Sequence, residues 1–207
     1  MMRRIIVVLA LTIASISLNA QSPLFKGVAV EGNINDFMTK LKAKDCVFEE
    51  RTKAPDSGYE VIRMKGSYAG YQNCEIILFA NKGKEIECVR VIMPLKCYKF
   101  GETIEGISDN YKDVRSMYID VKLKLIEKYG TPAVIHEDEI NTYHGGELRK
   151  IAAMDLYGCG WTDKGLNTIT VEISAFESDF DYFASVRVDI TNISSAEKSR
   201  ENVLDDM

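Results

Sequence analysis

The 207-residue chain has few of the residues that mark common catalytic and binding motifs: two histidines, four prolines and one tryptophan. It has no Gly-x-Ser-x-Gly elbow, no P-loop and no dinucleotide-binding glycine pattern, so acyl transfer, phosphate binding and hydride transfer lack their usual signatures. Basic residues form no cluster after Arg4, and the formal net charge is −5. Because nucleic-acid binding needs a concentrated basic face, the sequence predicts no nucleic-acid partner.

Long apolar runs are also absent beyond the N-terminus. No later segment approaches ~18 consecutive apolar residues, so we expect no membrane span in the mature chain. Residues 1–20 combine a basic start, an apolar run from Ile5 to Leu18 and a small-residue pattern ending at Ala20, which is typical of a signal peptide. Cleavage there would make Gln21 the first residue of a periplasmic or secreted protein.

The sequence offers little for a metal ion. His136 and His144 are eight residues apart rather than the four that would put both on one helical face. Asp179 and Asp181 lie in a polar segment that lacks the ligand count and the glycine of an EF-hand loop. Polar turns explain both segments, so we predict no metal site, no cofactor and no catalytic residues.

Five cysteines are an odd number for an exported chain. Two disulfides with one cysteine left over can be drawn in several ways. A hairpin turn at Lys82-Gly83 puts Cys74 and Cys88 out of register, whereas Cys97, just past Pro94, can fold back toward Cys74. The sequence therefore predicts a possible disulfide between Cys74 and Cys97, with five small buried thiols as the alternative.

The segment from Ser108 to Pro132 carries the clearest structural signal. Its apolar residues recur at spacings of three and four, which places them on one face of a helix: Tyr111, Val114, Tyr118, Val121, Leu125 and Tyr129. Ser108 and Asp109 can cap the start, and Gly130 and Pro132 can end the helix. We expect a helix from Asn110 to Tyr129 that packs on a sheet.

The remaining patterns predict an α+β fold. A helix capped by Asn33 and running through Ala43, together with a run of strands, fills residues 24–99. The long helix and another run of strands fill residues 104–193. Each half then forms a unit in which one helix packs on an antiparallel sheet of about four strands. We expect Pro94 to end the first sheet. Residues 194–207 form a charged C-terminal helix or tail.

The last strands alternate apolar and polar residues, which is typical of an antiparallel sheet covered on one side. For the apolar residues of both strands to face the same side, the loop before Asp181 must contain an even number of residues. Pairing Phe176 with Asp181 gives a loop of four residues. A two-residue turn at Lys164-Gly165 pairs Trp161 with Thr168. The outer face then carries three aromatic residues and three charged ones: Trp161, Tyr157, Phe183, Asp155, Glu172 and Arg187. A one-residue change in that turn would instead bury Trp161 and Tyr157, together with Asp155.

Three segments resemble a family of small uncharacterised exported proteins from Bacteroidetes: GSYAGYQNCEIILF at residues 66–79, EKYGTP at residues 127–132, and ASVRVDITNISSAE at residues 184–197. The resemblance implies export and a two-part α+β layout, with no activity attached. The repeated order of helix and strands is also similar to the tandem units of β-lactamase inhibitory protein.

These patterns favour an exported, non-enzymatic binding module that acts through an open sheet face. Its expected partner is an unknown protein or glycan of the cell envelope, because exposed aromatic rings with a few fixed charges suit both. The alternatives are a cell-envelope hydrolase with a site between the two units and a purely structural envelope protein.

Overall fold

The computed structural model of the chain describes residues 23–53, 59–98, 104–137, 157–163, 167–179 and 181–193. Within them lie two helices and eleven strands. In chain order these are β1 (Leu24–Phe25), β2 (Val28–Ala29), α1 (Ile34–Lys42), β3 (Val47–Lys53), β4 (Glu60–Tyr68), β5 (Tyr71–Ala80), β6 (Ile86–Ile92), β7 (Lys96–Tyr98), α2 (Ile104–Tyr129), β8 (Val134–His136), β9 (Tyr157–Asp163), β10 (Asn167–Ser178) and β11 (Asp181–Asn192).

The predicted helix ends are confirmed at three of four positions. The Asn33 side chain accepts a hydrogen bond from the Asn35 amide at 2.9 Å, and α1 closes at Ala43. Helix α2 ends at Tyr129, after which Gly130 adopts a φ of 81°. The predicted start at Asn110 was wrong, since α2 begins at Ile104. Cap-type residues tolerate a helix interior at a small cost.

The described strands form one nine-stranded antiparallel sheet, apart from the small β1–β2 hairpin. Its order is β3-β4-β5-β6-β11-β10-β9-β8, and β7 pairs with β11 beside β6. The prediction of two helix-on-sheet units was therefore wrong: the described chain is mostly β, and β6 pairs with β11 across the expected boundary. Two separate sheets would have left two further edges unpaired, and joining them removes both.

One face of the sheet, here called the inner face, carries the core. Apolar residues follow one another across the central strands, as in the rung Ile76, Val91, Val188 and Val171. Helix α2 packs on this face through a buried stripe that includes the predicted Val114, Tyr118, Val121 and Leu125. Buried residues of α1 belong to the same core. Since both helices lie on one side, the opposite side, the outer face, is left to polar and aromatic residues.

Two connections differ from the sequence-based expectation. Pro94 was expected to end the sheet, but the chain resumes pairing as β7, and the Ser185 hydroxyl donates to the Met93 carbonyl at 2.7 Å beside that interruption. Before Asp181 the loop has an even length, as predicted, but two residues rather than four, because Ser178 pairs with Asp181. Strands β10 and β11 are therefore both longer than their alternation of apolar and polar residues indicated.

No helix among these described residues combines the length and apolarity that crossing a membrane requires. The predicted signal peptide, residues 1–20, and the predicted tail, residues 194–207, lie outside the described residues.

Candidate functional site on the outer face of the sheet

Two of the six predicted surface residues belong to the core. Trp161 pairs with Ile169 and Tyr157 with Ile173, so both side chains point to the inner face. Trp161 is 5% exposed, and Tyr157 packs against Tyr118 with 5.4 Å between ring centroids. The predicted register was wrong, because Asp163 pairs with Asn167 and leaves three residues rather than two between the strands. A shift of one residue sends every side chain of β9 to the other face.

Glycines on β9 explain why this register forms. Gly158 and Gly160 take the outward positions, while Tyr157, Cys159 and Trp161 take the inward ones. A Cβ at Gly158 would lie 2.3 Å from the Val171 carbonyl oxygen and 2.8 Å from the Glu172 Cβ. The segment Tyr-Gly-Cys-Gly-Trp could therefore have indicated this register from the sequence, because its larger side chains occupy alternate positions and point to one face of the strand. Asp155, which the predicted register placed on the outer face, lies outside the described residues.

The other three predicted residues do lie on the outer face. Glu172 is directly opposite Arg187, and Phe183 is four residues before Arg187 on the same strand. The Arg187 Nη2 atom is 2.5 Å from Glu172 Oε1. Burial raises the pKa of Glu172, and the neighbouring Arg187 partly offsets that rise. Arg187 therefore stabilises a carboxylate that is 7% exposed.

A second ion pair extends this contact into β6. Arg90 donates from Nε and Nη2 to the two carboxylate oxygens of Asp189, at 2.8 and 2.9 Å. Asp189 Oδ2 is also 3.6 Å from Arg187 Nε. Hydrogen bonding to Asp189 raises the pKa of Arg90. The four residues form a continuous charge array across β6, β11 and β10, and the two arginines hold both carboxylates in place.

Phe176 was not among the predicted residues, although it is the most exposed ring of this part of the face. It stacks on Phe183 with 5.2 Å between centroids and 13° between planes, and 49% of Phe176 is exposed. The alternation of β10 put Phe176 outward, but the pairing with Phe183 depended on the loop length. Asp189 was equally visible in the alternation of β11, whereas its contact with Arg90 required the unpredicted β6–β11 pairing.

The described thiols do not form the predicted disulfide. All five cysteines are free. Cys74 is fully buried on the inner face, with its Sγ 3.7 Å from the Met93 Sδ, whereas Cys97 is exposed and pairs with Phe183 on the outer face. The two thiols therefore lie on opposite faces of the sheet, which does not allow the predicted bridge. The predicted hairpin register was also wrong, since Phe79 rather than Ile77 lies opposite Cys88.

The described residues offer no assembled chemical site of the usual kinds. In these parts of the chain no three His, Cys, Asp or Glu side chains are placed to share a metal ion. His136 lies on β8 and pairs with Gly158, while His144 is outside the described residues. Burial raises the pKa of the Cys159 thiol, which disfavours the thiolate that a nucleophile requires.

No family model, curated protein or solved structure matches the chain. Its function is therefore inferred from the chemistry of the outer face.

Proposed function

We propose that this chain is an exported binding protein and that its outer face contacts a protein partner. The observation that carries the proposal is the stacked pair Phe176–Phe183, with Phe176 half exposed, on a sheet face that also holds a fixed charge array. Rigid aromatic rings bury large area at a small entropic cost, and they are enriched where proteins meet. The inner face is filled by the two helices, so the outer face is the side left for a partner.

The arrangement of the rings favours a protein over a glycan. Sugar rings stack on a flat aromatic face and need hydrogen-bonding groups at its rim. Here each ring turns one face to the other, and Arg187 and Glu172, each four residues along its strand from a ring, are engaged with each other. An apolar side chain inserted beside the two rings fits this surface better.

The alternatives have less support. The hydrolase prediction depended on a site between two units, and the pairing of β6 with β11 makes one sheet of the two halves. A purely structural role gives no reason for a large aromatic side chain to stand half exposed beside ordered ion pairs. Export rests on the sequence of residues 1–20, and with it the expected location in the periplasm or outside the cell.

A quantitative capture experiment tests the proposal. The mature chain, residues 21–207, is immobilised and exposed to cell-envelope extract, beside a Phe176→Ala/Phe183→Ala variant and a Leu123→Ala control. Leu123 is an exposed apolar residue on the outward side of α2, away from the outer face. We expect the wild type and the control to retain the same proteins and the double variant to retain at least tenfold less, with melting temperatures unchanged. Equal retention by all three would exclude the outer face as the contact surface.

A further inference from the structure

Three arginines on the outer face each stand beside a carboxylate on a neighbouring strand. Arg63 of β4 pairs with Glu75 of β5, Arg90 of β6 with Asp189 of β11, and Arg187 of β11 with Glu172 of β10. Each pair is an ion contact between side chains of adjacent strands. We call Arg63, Arg90 and Arg187 the arginine row.

In each of these three pairs the arginine is the more exposed partner, although Arg63 also lies 4.0 Å from Glu50, the more exposed residue opposite it on β3. The exposed side-chain fractions are 46% against 32% for Arg63 and Glu75, 31% against 16% for Arg90 and Asp189, and 29% against 9% for the third pair. In these three pairs the carboxylate lies beneath its arginine, although the Nε atom of Arg187 is itself buried. A guanidinium has five N–H donors, and the bidentate contact of Arg90 with Asp189 uses two of them.

The register places the row across the sheet rather than along a strand. Arg63 and Arg90 lie on one rung with the buried Ile77 between them, a separation of about 10 Å from two strand spacings. Arg187 is two residues from Asp189, the residue opposite Arg90. The Arg90 guanidinium also sits 5.4 Å from the centre of the Phe79 ring, which restrains it further.

We propose that the arginine row binds the carboxylates of an acidic, extended polypeptide segment, while the Phe176–Phe183 pair takes an apolar residue of that segment. This inference rests on the proposed function and specifies the partner's chemistry. Guanidinium groups held in place by carboxylates lose little freedom on binding, and their planar fork matches a carboxylate.

The electrostatics restrict how this recognition works. Four carboxylates contact the three arginines and cancel the row's long-range field: Glu50, Glu75, Asp189 and Glu172. The chain also carries a net charge of −5. Long-range attraction of an acidic partner is therefore weak, and selectivity comes from short, directional hydrogen bonds. Carboxylate binding should accordingly weaken by less than tenfold between 50 and 300 mM salt, unlike binding to a field of unpaired lysines.

Peptide binding measured by fluorescence anisotropy tests the inference. The probes are three labelled peptides of equal length in which phenylalanine alternates with glutamate, glutamine or lysine. The proteins are the wild-type mature chain, an Arg63→Gln/Arg90→Gln variant, and Lys128→Gln as a control that removes one positive charge from α2. We expect the glutamate peptide to bind wild type and control at least tenfold more tightly than the glutamine peptide, and the arginine variant to reduce this preference below threefold.

Other results separate the inference from the proposed function. If glutamate and glutamine peptides bind equally and Phe176→Ala/Phe183→Ala weakens both, the surface binds proteins but the arginine row does not select acids. If a sulfated oligosaccharide binds more tightly than the glutamate peptide and depends on the same arginines, the acidic polypeptide is the wrong partner. Absence of binding by every peptide also overturns the inference. Should the double variant unfold, the preference for the glutamate peptide is measured with Arg63→Gln alone. That side chain is nearly half exposed, so its replacement should leave the fold intact.

Discussion

The indole Nε1 of Trp161 donates a hydrogen bond of 2.6 Å to the carbonyl oxygen of Gly130. This contact joins β9 to the residue that closes α2. Close by, the Ala133 amide donates to the Gly160 carbonyl at 2.8 Å. The chain's one tryptophan thus fixes the end of the long helix against the sheet, which is a structural role and not the binding role that the sequence had suggested.

Replacing Trp161 should therefore reduce stability. Trp161→Phe removes the donor to a carbonyl at the helix end and should cost about 1–3 kcal/mol, and Trp161→Ala should cost about 3–5 kcal/mol because it also empties a packed site. Urea denaturation gives both values. Phe176→Ala, which removes an exposed ring from the outer face, serves as the control and should cost less than Trp161→Ala. A Trp161→Ala variant within about 0.5 kcal/mol of wild type, the range of ordinary surface changes, would place the ring outside the core.

The two glycines of β9 should differ sharply in their tolerance of alanine. At Gly158 a new Cβ would meet backbone, the Val171 carbonyl oxygen at 2.3 Å, whereas at Gly160 the nearest atom is the Thr170 Cγ2 at 3.4 Å. Gly158→Ala forces β9 away from β10 and should cost about 2–3 kcal/mol, in the range of overpacking. Gly160→Ala should stay within about 1 kcal/mol of wild type. Equal effects in urea denaturation would mean that the strands are not so closely spaced at Gly158.

Burial of Glu172 should make stability depend on pH. Its pKa in the folded chain is raised above the ordinary value of 4.5, chiefly by burial, so the native state holds the proton more tightly than the unfolded state. The resulting stabilisation is present below that ordinary value and is lost as the pH rises through the folded pKa. The stability of wild type relative to Glu172→Gln should therefore decline between about pH 4 and pH 7. Denaturation at both pH values measures it, and an increase would mean that Arg187 outweighs burial.

Local features of the fold were predictable because they depend on neighbouring residues. Asn33 can cap a helix only through amides of the next turn, and the conformational freedom of Gly130 ends α2 whatever lies around it. Alternation along β11 likewise separates Val186, Val188 and Ile190 from the outward Arg187 and Asp189. Each of these signals is complete within a few residues of sequence.

Pairing between distant strands was not predictable in the same way. From the sequence alone, the free edge of β6 could have been exposed to solvent or paired with any other strand. Nothing in the residues of β6 identifies β11 as its partner. The contact of Arg90 with Asp189, 99 residues apart, follows from that pairing alone. At β9 one extra residue in the turn decided which face Trp161 occupies, since the side-chain period of a strand is two. Of the candidate site, Glu172, Arg187 and Phe183 were predicted from the sequence, whereas Phe176, Arg90 and Asp189 were not.

Thiol reactivity should distinguish Cys97 from the buried cysteines. Cys97 is exposed on the outer face, whereas Cys74 is buried on the inner face and burial raises its pKa. Burial also raises the pKa of Cys88 to about 11. Since the thiolate is the reactive form, a maleimide at neutral pH should label one thiol of the native protein quickly. Peptide mass spectrometry should locate the label on Cys97.

The remaining thiols should react only after denaturation, and Cys97→Ser should leave the native protein almost unlabelled. Labelling of all five thiols in denaturant without a reductant would establish that none is paired. Two thiols that stay unreactive until reduced, identified as Cys74 and Cys97 by mass spectrometry, would restore the disulfide that the opposite faces of the sheet now exclude, because a disulfide requires Cβ atoms within about 4.5 Å of each other.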